Sequence, residues 1–341
     1  MAAAKSATNT VKSLLRVAER PLQIPGTKLA ASTPPAQLDL FDYCFYYDTL
    51  APTPQQLQHS ADVFRASNHS PIRMWTASEF RTIPMSDVPE VAFLGRSNSG
   101  KSSLLNAIME KNMCFTSATL GLTTTLNAYG IGGKKGGEAK VVLVDTPGYG
   151  KGSNEEWGEE ILKYLTKRKQ LRRTYILINS HHGIKAADAA ILSLLRANAV
   201  PHQIILSKAD SVLIKGGQKR GARGLRPERI DELCRFADKV RKRVQPVRNV
   251  GSTSKQKQKL QEGQDEGVEE QEERPELGAP ALGEILACSM KMKDEAGCLG
   301  VDPIRWSILR AVGLGIGVGV GAGRGGGGAD GTGIAGANKR G

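Results

Sequence analysis

The stretch Gly95-Arg96-Ser97-Asn98-Ser99-Gly100-Lys101-Ser102 decides the fold of this chain. It fits the pattern G-x-x-x-x-G-K-[ST], a glycine-rich loop whose backbone N–H groups surround nucleotide phosphates. A strand-like stretch, Val91–Leu94, precedes the loop, and a helix-like stretch with apolar Leu104, Leu105 and Ile108 follows it. This context predicts a strand, a phosphate-binding loop and a helix in succession.

The residues of this loop have distinct expected roles. Backbone N–H groups from Gly95 to Ser103 are expected to face the phosphates. Lys101 should reach the outer phosphates, and the Ser102 hydroxyl should hold magnesium. Asn98 is a candidate ligand for a potassium ion, whose charge would assist catalysis at the phosphates. Alternatively, the Asn98 side chain only braces the loop.

A second motif, Asp145-Thr146-Pro147-Gly148, directly follows the strand-like residues 140–144. A carboxylate at the end of a strand is expected to hold magnesium through water, and the Gly148 N–H to contact the terminal phosphate. D-x-x-G alone is a common pattern, so its weight comes from its place downstream of a phosphate-binding loop.

A third motif, Ser207-Lys208-Ala209-Asp210, selects the base. It fits [NTS]-K-x-D, in which the Asp210 carboxylate accepts two hydrogen bonds from guanine and the Lys208 stem lies along the ring. Adenine carries a different donor set and would leave that carboxylate unpaired, so the motif predicts GTP and GDP as ligands. Cys288-Ser289, after the strand-like residues 284–287, is expected to add a backbone contact to the guanine oxygen.

Two further expectations concern hydrolysis. Thr123 is expected to complete the magnesium shell in the GTP state, with Thr124 and Thr125 as rivals. Tyr149 follows the second motif at the position where Ras-like enzymes carry a water-orienting glutamine. Hydrolysis is therefore expected to be slow, or to depend on a partner or a cation. The expected catalytic residues are Lys101, Thr123 and Gly148.

Short apolar stretches alternate with amphipathic ones from Glu90 onward, which predicts an α/β fold. The expected architecture is a mostly parallel sheet of about six strands with helices on both faces. The predicted strands are residues 90–94, 124–130, 140–144, 174–178, 203–206 and 284–287. The predicted helices are residues 102–109, 157–169, 186–196, 227–244 and 303–312.

Composition narrows the class of protein further. The 341 residues carry a formal net charge of +13, which favours an anionic partner, although a basic leader and solvated Lys and Arg side chains account for part of the excess. The five cysteines include no C-x-x-C pair, so neither a disulfide framework nor a zinc site is indicated. No apolar stretch reaches the length of a membrane span, and a monomer without stable membrane insertion is expected.

The chain divides into four predicted segments. Residues 1–37 form a disordered leader and linker, basic, amphipathic and poor in acids, which is the composition of an organellar transit peptide or else of a basic tail without a targeting role. Residues 38–88 are expected to pack as an extension on the main domain, 89–312. A low-complexity insert, 245–280, and a Gly-rich tail, 313–341, are expected to be disordered.

The runs Pro89–Ser103, Asp145–Gly150 and Ser207–Asp210 together resemble the EngB (YihA) family of P-loop GTPases. The resemblance implies an EngB-type G domain that acts with GTP, GDP and magnesium in assembling the large ribosomal subunit, with ribosomal RNA or that subunit as partner. The added leader and tails resemble the eukaryotic organellar branch, so a mitochondrial, fungal member located in the matrix is expected. If the leader is not functional, another organelle or the cytoplasm is the alternative.

Two departures from the family pattern accompany this resemblance. The first switch reads Leu120-Gly121-Leu122-Thr123 where the family often has Pro-Gly-Arg-Thr, which puts switch-mediated RNA contacts in doubt. Asn179 stands where the family usually has an aspartate.

Two basic clusters are candidates for RNA contact, because Lys and Arg neutralise phosphates, although solvated helix faces are the alternative. The first cluster comprises Lys163, Lys167, Arg168, Lys169, Arg172 and Arg173, and the second comprises Lys215, Lys219, Arg220, Arg223, Arg226 and Arg229. The absent glutamine and the long polar insert favour an alternative function, a low-turnover GTP-dependent interaction module on a membrane surface or protein complex.

Overall fold

The computed structural model describes residues 38–47, 49–114, 125–135, 138–149, 155–214, 227–245, 281–294 and 297–315. The predicted leader, the tail from residue 316 and the insert from residue 246 lie outside the described residues. So do Thr123, Thr124 and, except for Arg229, the second basic cluster. The described residues all belong to one compact unit, Gln37–Gly341.

An eight-stranded sheet lies at the centre of the described residues. Its strands are β1 (Cys44–Tyr46), β2 (Ile72–Ala77), β3 (Glu90–Gly95), β4 (Leu126–Ile131), β5 (Val141–Asp145), β6 (Leu171–Asn179), β7 (His202–Ser207) and β8 (Glu284–Ala287). The spatial order is β1-β8-β7-β6-β3-β5-β4-β2. Strands β8, β7, β6, β3 and β5 run parallel, whereas β1, β4 and β2 pair antiparallel with their neighbours.

Helices connect and cover these strands. They are α1 (Leu40–Tyr43), α2 (Pro54–Phe64), α3 (Lys101–Met109), α4 (Glu155–Lys167), α5 (Ala186–Ala197), α6 (Asp210–Leu213), α7 (Pro227–Val244) and α8 (Val301–Ala311). A short hairpin, β9 (Ser289–Asp294) and β10 (Gly297–Leu299), precedes α8. No helix within the described ranges combines the length and the apolar character that crossing a membrane would need.

The predicted α/β class, the six strands and the five helices are confirmed, with ends shifted by a few residues. The sheet has eight strands rather than about six, because residues before Glu90 supply both edge strands. These two strands escape prediction for a physical reason. β1 is only three residues long, and β2 exposes most of its side chains and so shows no alternation of apolar and polar residues.

Residues 38–88 contact the rest of the unit through strand pairing at both edges of the sheet and through the packing of a helix. Cys44 pairs with Leu286 where β1 meets β8, and Ala77 pairs with Leu126 where β2 meets β4. Helix α2 begins at the Thr53 capping box and ends with Phe64, whose side chain is fully buried. The guanidinium of Arg305 in α8 lies 5.8 Å from the Phe64 ring centre.

The amino-terminal ends of the parallel strands form one edge of the sheet. The three motifs lie at the opposite edge, which the carboxyl-terminal ends of these strands form. At the amino-terminal edge, Glu90, fully buried at the start of β3, accepts hydrogen bonds from Arg168 and from the Tyr164 hydroxyl. The expectation that Arg168 faces a nucleic acid is therefore wrong, because a buried carboxylate requires a charged partner. Arg173 also turns inward, donating to Gln203 and Ser307.

The long insert leaves and re-enters the fold at this same edge. The Ala281 N–H donates to the Val244 carbonyl at 3.2 Å, and Nε2 of Gln245 donates to the carbonyls of Ala281 and Leu282. Leu282 in turn donates its N–H to the carbonyl of His202, the first residue of β7. Gln245 and Ala281, the described residues on either side of the undescribed stretch, thus lie side by side.

Candidate nucleotide-binding site

The phosphate loop connects the end of β3 to the start of α3. Gly100 precedes the first residue of α3 with φ +94°, a left-handed conformation that glycine adopts without strain. Asn98 has φ +63°, in the region where asparagine is the most tolerant of the larger residues. The Ser99 N–H donates to the Arg96 carbonyl at 2.9 Å, which closes the turn. The N–H groups of Ser97 and Ser99 thus donate to carbonyls of the protein itself, Ser97 to that of Tyr149, so the expected phosphate contacts fall to the other N–H groups of the loop.

Gly95, the first residue of this loop, and Gly148 of the second motif both allow close approach to the loop's serines. A Cβ at Gly95 would collide with Oγ of Ser99, and one at Gly148 would lie 2.9 Å from the Ser97 nitrogen. The Ser99 hydroxyl oxygen is buried and has no hydrogen-bond partner among the described residues. A cradle that leaves no room for a side chain, with an unpaired buried hydroxyl, fits a phosphate group.

Lys101 and Asp145 form a buried ion pair beside this cradle. Asp145 ends β5 and lies opposite Phe93 of β3, while Lys101 begins α3. The Lys101 side chain is 7% exposed and the Asp145 side chain is 3% exposed, so each charge needs a counter-charge. An ammonium for phosphates and a carboxylate for magnesium are thus brought together, as the two motifs predict.

Ser102 and Ser103 lie in the first turn of α3, and both are half-buried. This places the Ser102 hydroxyl on the same helix end as Lys101, where an oxygen ligand for magnesium is expected. Among the three candidate switch threonines, the structure describes only Thr125, just before β4. Its carbonyl accepts a hydrogen bond from Nδ2 of Asn127, and the choice among the three threonines stays a prediction.

The base-selecting motif meets the phosphate loop through Ser207. Its Oγ donates to the carbonyl of Ser99 at 2.7 Å, which links the end of β7 to the loop. Lys208 has φ +56°, and its Cε would lie 3.8 Å from a Cβ built on Gly100. The Lys208 stem therefore runs over the start of α3, where the expected base stacks beside the phosphates.

Asp210 is oriented by the segment that follows β8. The Ser289 hydroxyl donates to its Oδ1 at 2.7 Å, and Nζ of Lys291 lies 3.8 Å from Oδ2. The Ala209 N–H donates to the Cys288 carbonyl at 3.0 Å. The structure thus places Cys288-Ser289 against the base-selecting motif, and their backbone contact to the guanine oxygen stays a prediction. Sequence reasoning missed Lys291, which no motif marks.

Tyr149, at the position of the missing glutamine, turns toward α5. Its hydroxyl donates to Oδ1 of Asp188 at 2.8 Å, and burial next to that carboxylate raises the pKa of Tyr149 above its usual range. Oδ2 of Asp188 also forms an ion pair with Nε of Arg96, 3.2 Å away. Sequence reasoning missed Asp188, which is 39 positions from Tyr149 along the chain. Its one local signal is an acid in the first turn of a helix.

The residues present fit a guanine nucleotide with magnesium. Loop N–H groups and Lys101 would hold phosphates, Ser102 and Asp145 would hold magnesium, and Asp210 would hold guanine. All of them lie at the carboxyl ends of parallel strands, where open α/β sheets bind ligands. Fold and site together define a P-loop GTPase.

Comparison with known proteins agrees with this class. A family model described as "50S ribosome-binding GTPase" matches residues 90–208. The "Probable GTP-binding protein EngB" of Mesorhizobium japonicum is 43% identical over 143 residues, which cover 39% of this chain and 68% of the relative. The protein of the same name from Rhizobium etli is 39% identical over 184 residues, covering 51% of this chain and 79% of the relative.

Among solved structures, a crystal structure of a probable GTP-binding protein engB matches with a TM-score of 0.31 and 20% identity, over 45% of this chain and 80% of that one. The similarity covers more than two thirds of the length of both the Mesorhizobium and the Rhizobium relative. The chain therefore belongs to the EngB family. It is a GTPase that binds GTP and GDP with magnesium.

Proposed function

We propose that this chain is a GTP-driven switch that assists assembly of the large subunit of the mitochondrial ribosome. The observation that carries the proposal is the complete constellation of Lys101, Asp145 and Asp210 at one edge of the sheet, in a member of the EngB family. The matching family model, described as a 50S ribosome-binding GTPase, supports a large-subunit partner. The basic, acid-poor residues 1–37 support the mitochondrial matrix as the location.

We place the RNA-facing surface at the opposite edge of the sheet. Lys167, Lys169 and Arg172 are exposed where α4 ends and β6 begins. Lys242 and Arg243 are exposed in the last turn of α7, next to the residues that precede β8. We call these five side chains the basic edge. Cations grouped on one edge neutralise phosphates and make RNA binding sensitive to salt.

The site's own residues favour a slow reaction. Bound magnesium would neutralise charge on the phosphates, and Lys101 would bind the outer phosphates. The Tyr149 hydroxyl is engaged with Asp188, so this side chain does not orient a water molecule as glutamine does. We therefore expect slow intrinsic hydrolysis, with stimulation by the ribosomal partner.

A potassium ion is a second source of the missing positive charge. Asn98 lies in the phosphate loop, and its backbone has the left-handed conformation. Its amide oxygen is therefore a candidate ligand for this ion next to the phosphates. If Asn98 binds this ion, hydrolysis is faster in potassium than in sodium buffer, and Asn98→Ala removes the difference. Equal hydrolysis rates in both buffers would mean that Asn98 only braces the loop.

Sedimentation tests the ribosomal role. The full chain is added to mitochondrial lysate with GDP or a non-hydrolysable GTP analogue and resolved on sucrose gradients, with and without RNase. The expected result is co-migration with the large subunit only with the GTP analogue, lost after RNase. Migration at the top of every gradient would contradict the proposal.

The basic edge is tested by charge reversal. Lys169→Glu with Lys242→Glu should abolish co-migration, while nucleotide affinity stays unchanged because the edge lies opposite the nucleotide site. The matched control is Arg65→Glu with Arg81→Glu, two exposed arginines of the extension. Equal loss in the control would point to net charge rather than to this surface.

The position of Tyr149 favours one alternative function, a GTP-dependent interaction module with little turnover on a membrane surface or protein complex. Binding to anionic vesicles that depends on the GTP analogue and resists RNase would favour it. Fusion of residues 1–37 to a fluorescent reporter tests the location separately. Matrix import is expected, and a reporter left in the cytoplasm would contradict the mitochondrial assignment.

A further inference from the structure

Asp188 is a fully buried carboxylate on which three segments converge. It accepts hydrogen bonds from the N–H of Lys185, the residue that caps its own helix, at 2.9 Å and from the Tyr149 hydroxyl at 2.8 Å, and it forms an ion pair with the Arg96 guanidinium at 3.2 Å. Arg96 belongs to the phosphate loop, and Tyr149 directly follows Gly148. A buried carboxylate with a charged partner and two further donors has a fixed position. It therefore also fixes the positions of Arg96 and Tyr149.

The backbones of these two segments also meet, but through long hydrogen bonds. The Tyr149 N–H donates to the Gly95 carbonyl, and the Ser97 N–H donates to the Tyr149 carbonyl, each at 3.3 Å. Bonds of this length are weak, so the side-chain contacts with Asp188 carry much of the attachment. The attachment keeps Gly148 packed against Ser97 at the phosphate loop.

We propose that Asp188 is a positioning residue for the GTP state. The contacts Arg96–Asp188–Tyr149 form a latch that holds Gly148 at the phosphate loop, where its N–H can meet the terminal phosphate. The proposal rests on the GTPase activity of the EngB family and is independent of the ribosomal role.

The latch discriminates between nucleotides because only GTP carries the phosphate that Gly148 would contact. Without the latch, the segment after Asp145 has more freedom, and ordering it again opposes GTP binding. GDP makes its contacts elsewhere, with Lys101 and Asp210, and its affinity should change little. The measured signature is therefore a change in the ratio of the two affinities, which a general loss of stability does not produce.

Two variants test the latch. Tyr149→Phe removes only the hydroxyl, and Asp188→Asn removes the charge that pairs with Arg96. Fluorescent GDP and a fluorescent non-hydrolysable GTP analogue are titrated with magnesium into each purified full chain. We expect GTP-analogue affinity to fall about 5- to 10-fold in both variants and GDP affinity to change less than twofold. An unchanged ratio in both variants would overturn the proposal.

The chain offers a matched control at the other end of β3. The Tyr164 hydroxyl donates to Oε2 of Glu90 at 2.8 Å, and Arg168 pairs with the same carboxylate. Tyr164→Phe therefore removes the same kind of hydrogen bond far from the nucleotide. It should lower the melting temperature and leave the affinity ratio unchanged. A fall in the ratio equal to that of Tyr149→Phe would also overturn the proposal.

These results are separable from the ribosomal test. Retained GDP binding shows that the nucleotide site is intact whatever the sedimentation experiment gives. A chain that fails to sediment with ribosomes can still show the expected ratio, and the reverse holds as well.

Discussion

The hydroxyl of Ser289 donates a 2.7 Å hydrogen bond to Oδ1 of Asp210, joining the segment after β8 to the segment after β7. The same hydroxyl accepts the N–H groups of Lys291 and Met292 at 3.1 and 3.2 Å. The carboxylate that we expect to select guanine is therefore oriented by a hydroxyl that its own loop holds in place. This relationship leads to the first prediction.

Ser289→Ala should weaken GDP binding about fivefold, since one oriented hydrogen bond contributes about 1 kcal/mol. The preference for guanine over adenine should remain, because Asp210 itself is unchanged. Competition titration with GDP and ADP measures both quantities. Ser193→Ala, in α5 and outside the site, serves as the control. GDP affinity equal to that of the unmodified chain would contradict the orienting role.

Asp210→Asn should shift base preference from guanine toward xanthine. The carboxamide presents a donor where the carboxylate presents an acceptor, and xanthine offers an oxygen at that position. Direct titration with GDP and XDP gives the ratio of affinities. If the variant keeps its tight selectivity for GDP, Asp210 does not recognise the guanine base.

Lys101→Ala should abolish detectable GTP binding and also destabilise the nucleotide-free protein. Removing one member of a buried ion pair leaves the Asp145 charge uncompensated, at a cost of about 3–5 kcal/mol. Denaturation in urea without nucleotide measures this cost. The double variant Lys101→Ala, Asp145→Asn should recover part of the stability but not the binding. A double variant as unstable as the single one would contradict the electrostatic explanation.

Arg168→Met should lower the free energy of unfolding by about 3–5 kcal/mol, because it leaves buried Glu90 without its charged partner. Arg65→Met is the control, since Arg65 and Asp62 form a pair whose side chains are 68% and 51% exposed. That change should cost no more than about 0.5 kcal/mol. Similar losses in both variants would mean that burial of the pair does not decide its contribution.

His202 should make stability depend on pH. Burial lowers the pKa of this imidazole below its ordinary value of 6.5, although a hydrogen bond to the Val200 carbonyl opposes the shift. The unfolded chain then binds the proton more readily than the folded chain does. The contribution of His202 to the free energy of unfolding is therefore fully present above pH 6.5 and is lost as the pH falls from 6.5 through the lower pKa of the folded state.

Urea denaturation at pH 7.5 and 5.5 checks this expectation. His202→Asn keeps a donor for the Val200 carbonyl but removes the titrating ring, and should lose less stability at the lower pH. His69→Asn, at an exposed position, should behave like the unmodified chain. Identical pH dependence in all three proteins would exclude His202 as the cause.

Local patterns in the sequence account for the central fold and for most of the nucleotide site. The loop from Gly95 to Ser102, Asp145 and Asp210 lie at the carboxyl ends of parallel strands, as their motifs indicate, because a backbone turn or a strand end fixes each position within a few residues. Their roles toward the nucleotide stay predictions. The edge strands β1 and β2 were not predicted, because their stability comes from pairing with β8 and β4 rather than from their own side-chain pattern.

Tertiary structure alone decided which charged residues are structural. Arg168 and Arg173 look like surface cations along the chain, yet one pairs with Glu90 and the other donates to Gln203 and Ser307. Asp188 looks like an ordinary acid of a helix start, yet it joins Arg96 to Tyr149. Short-range geometry sets a phosphate loop, whereas the partner of a buried charge depends on which distant residues the sheet order brings beside it.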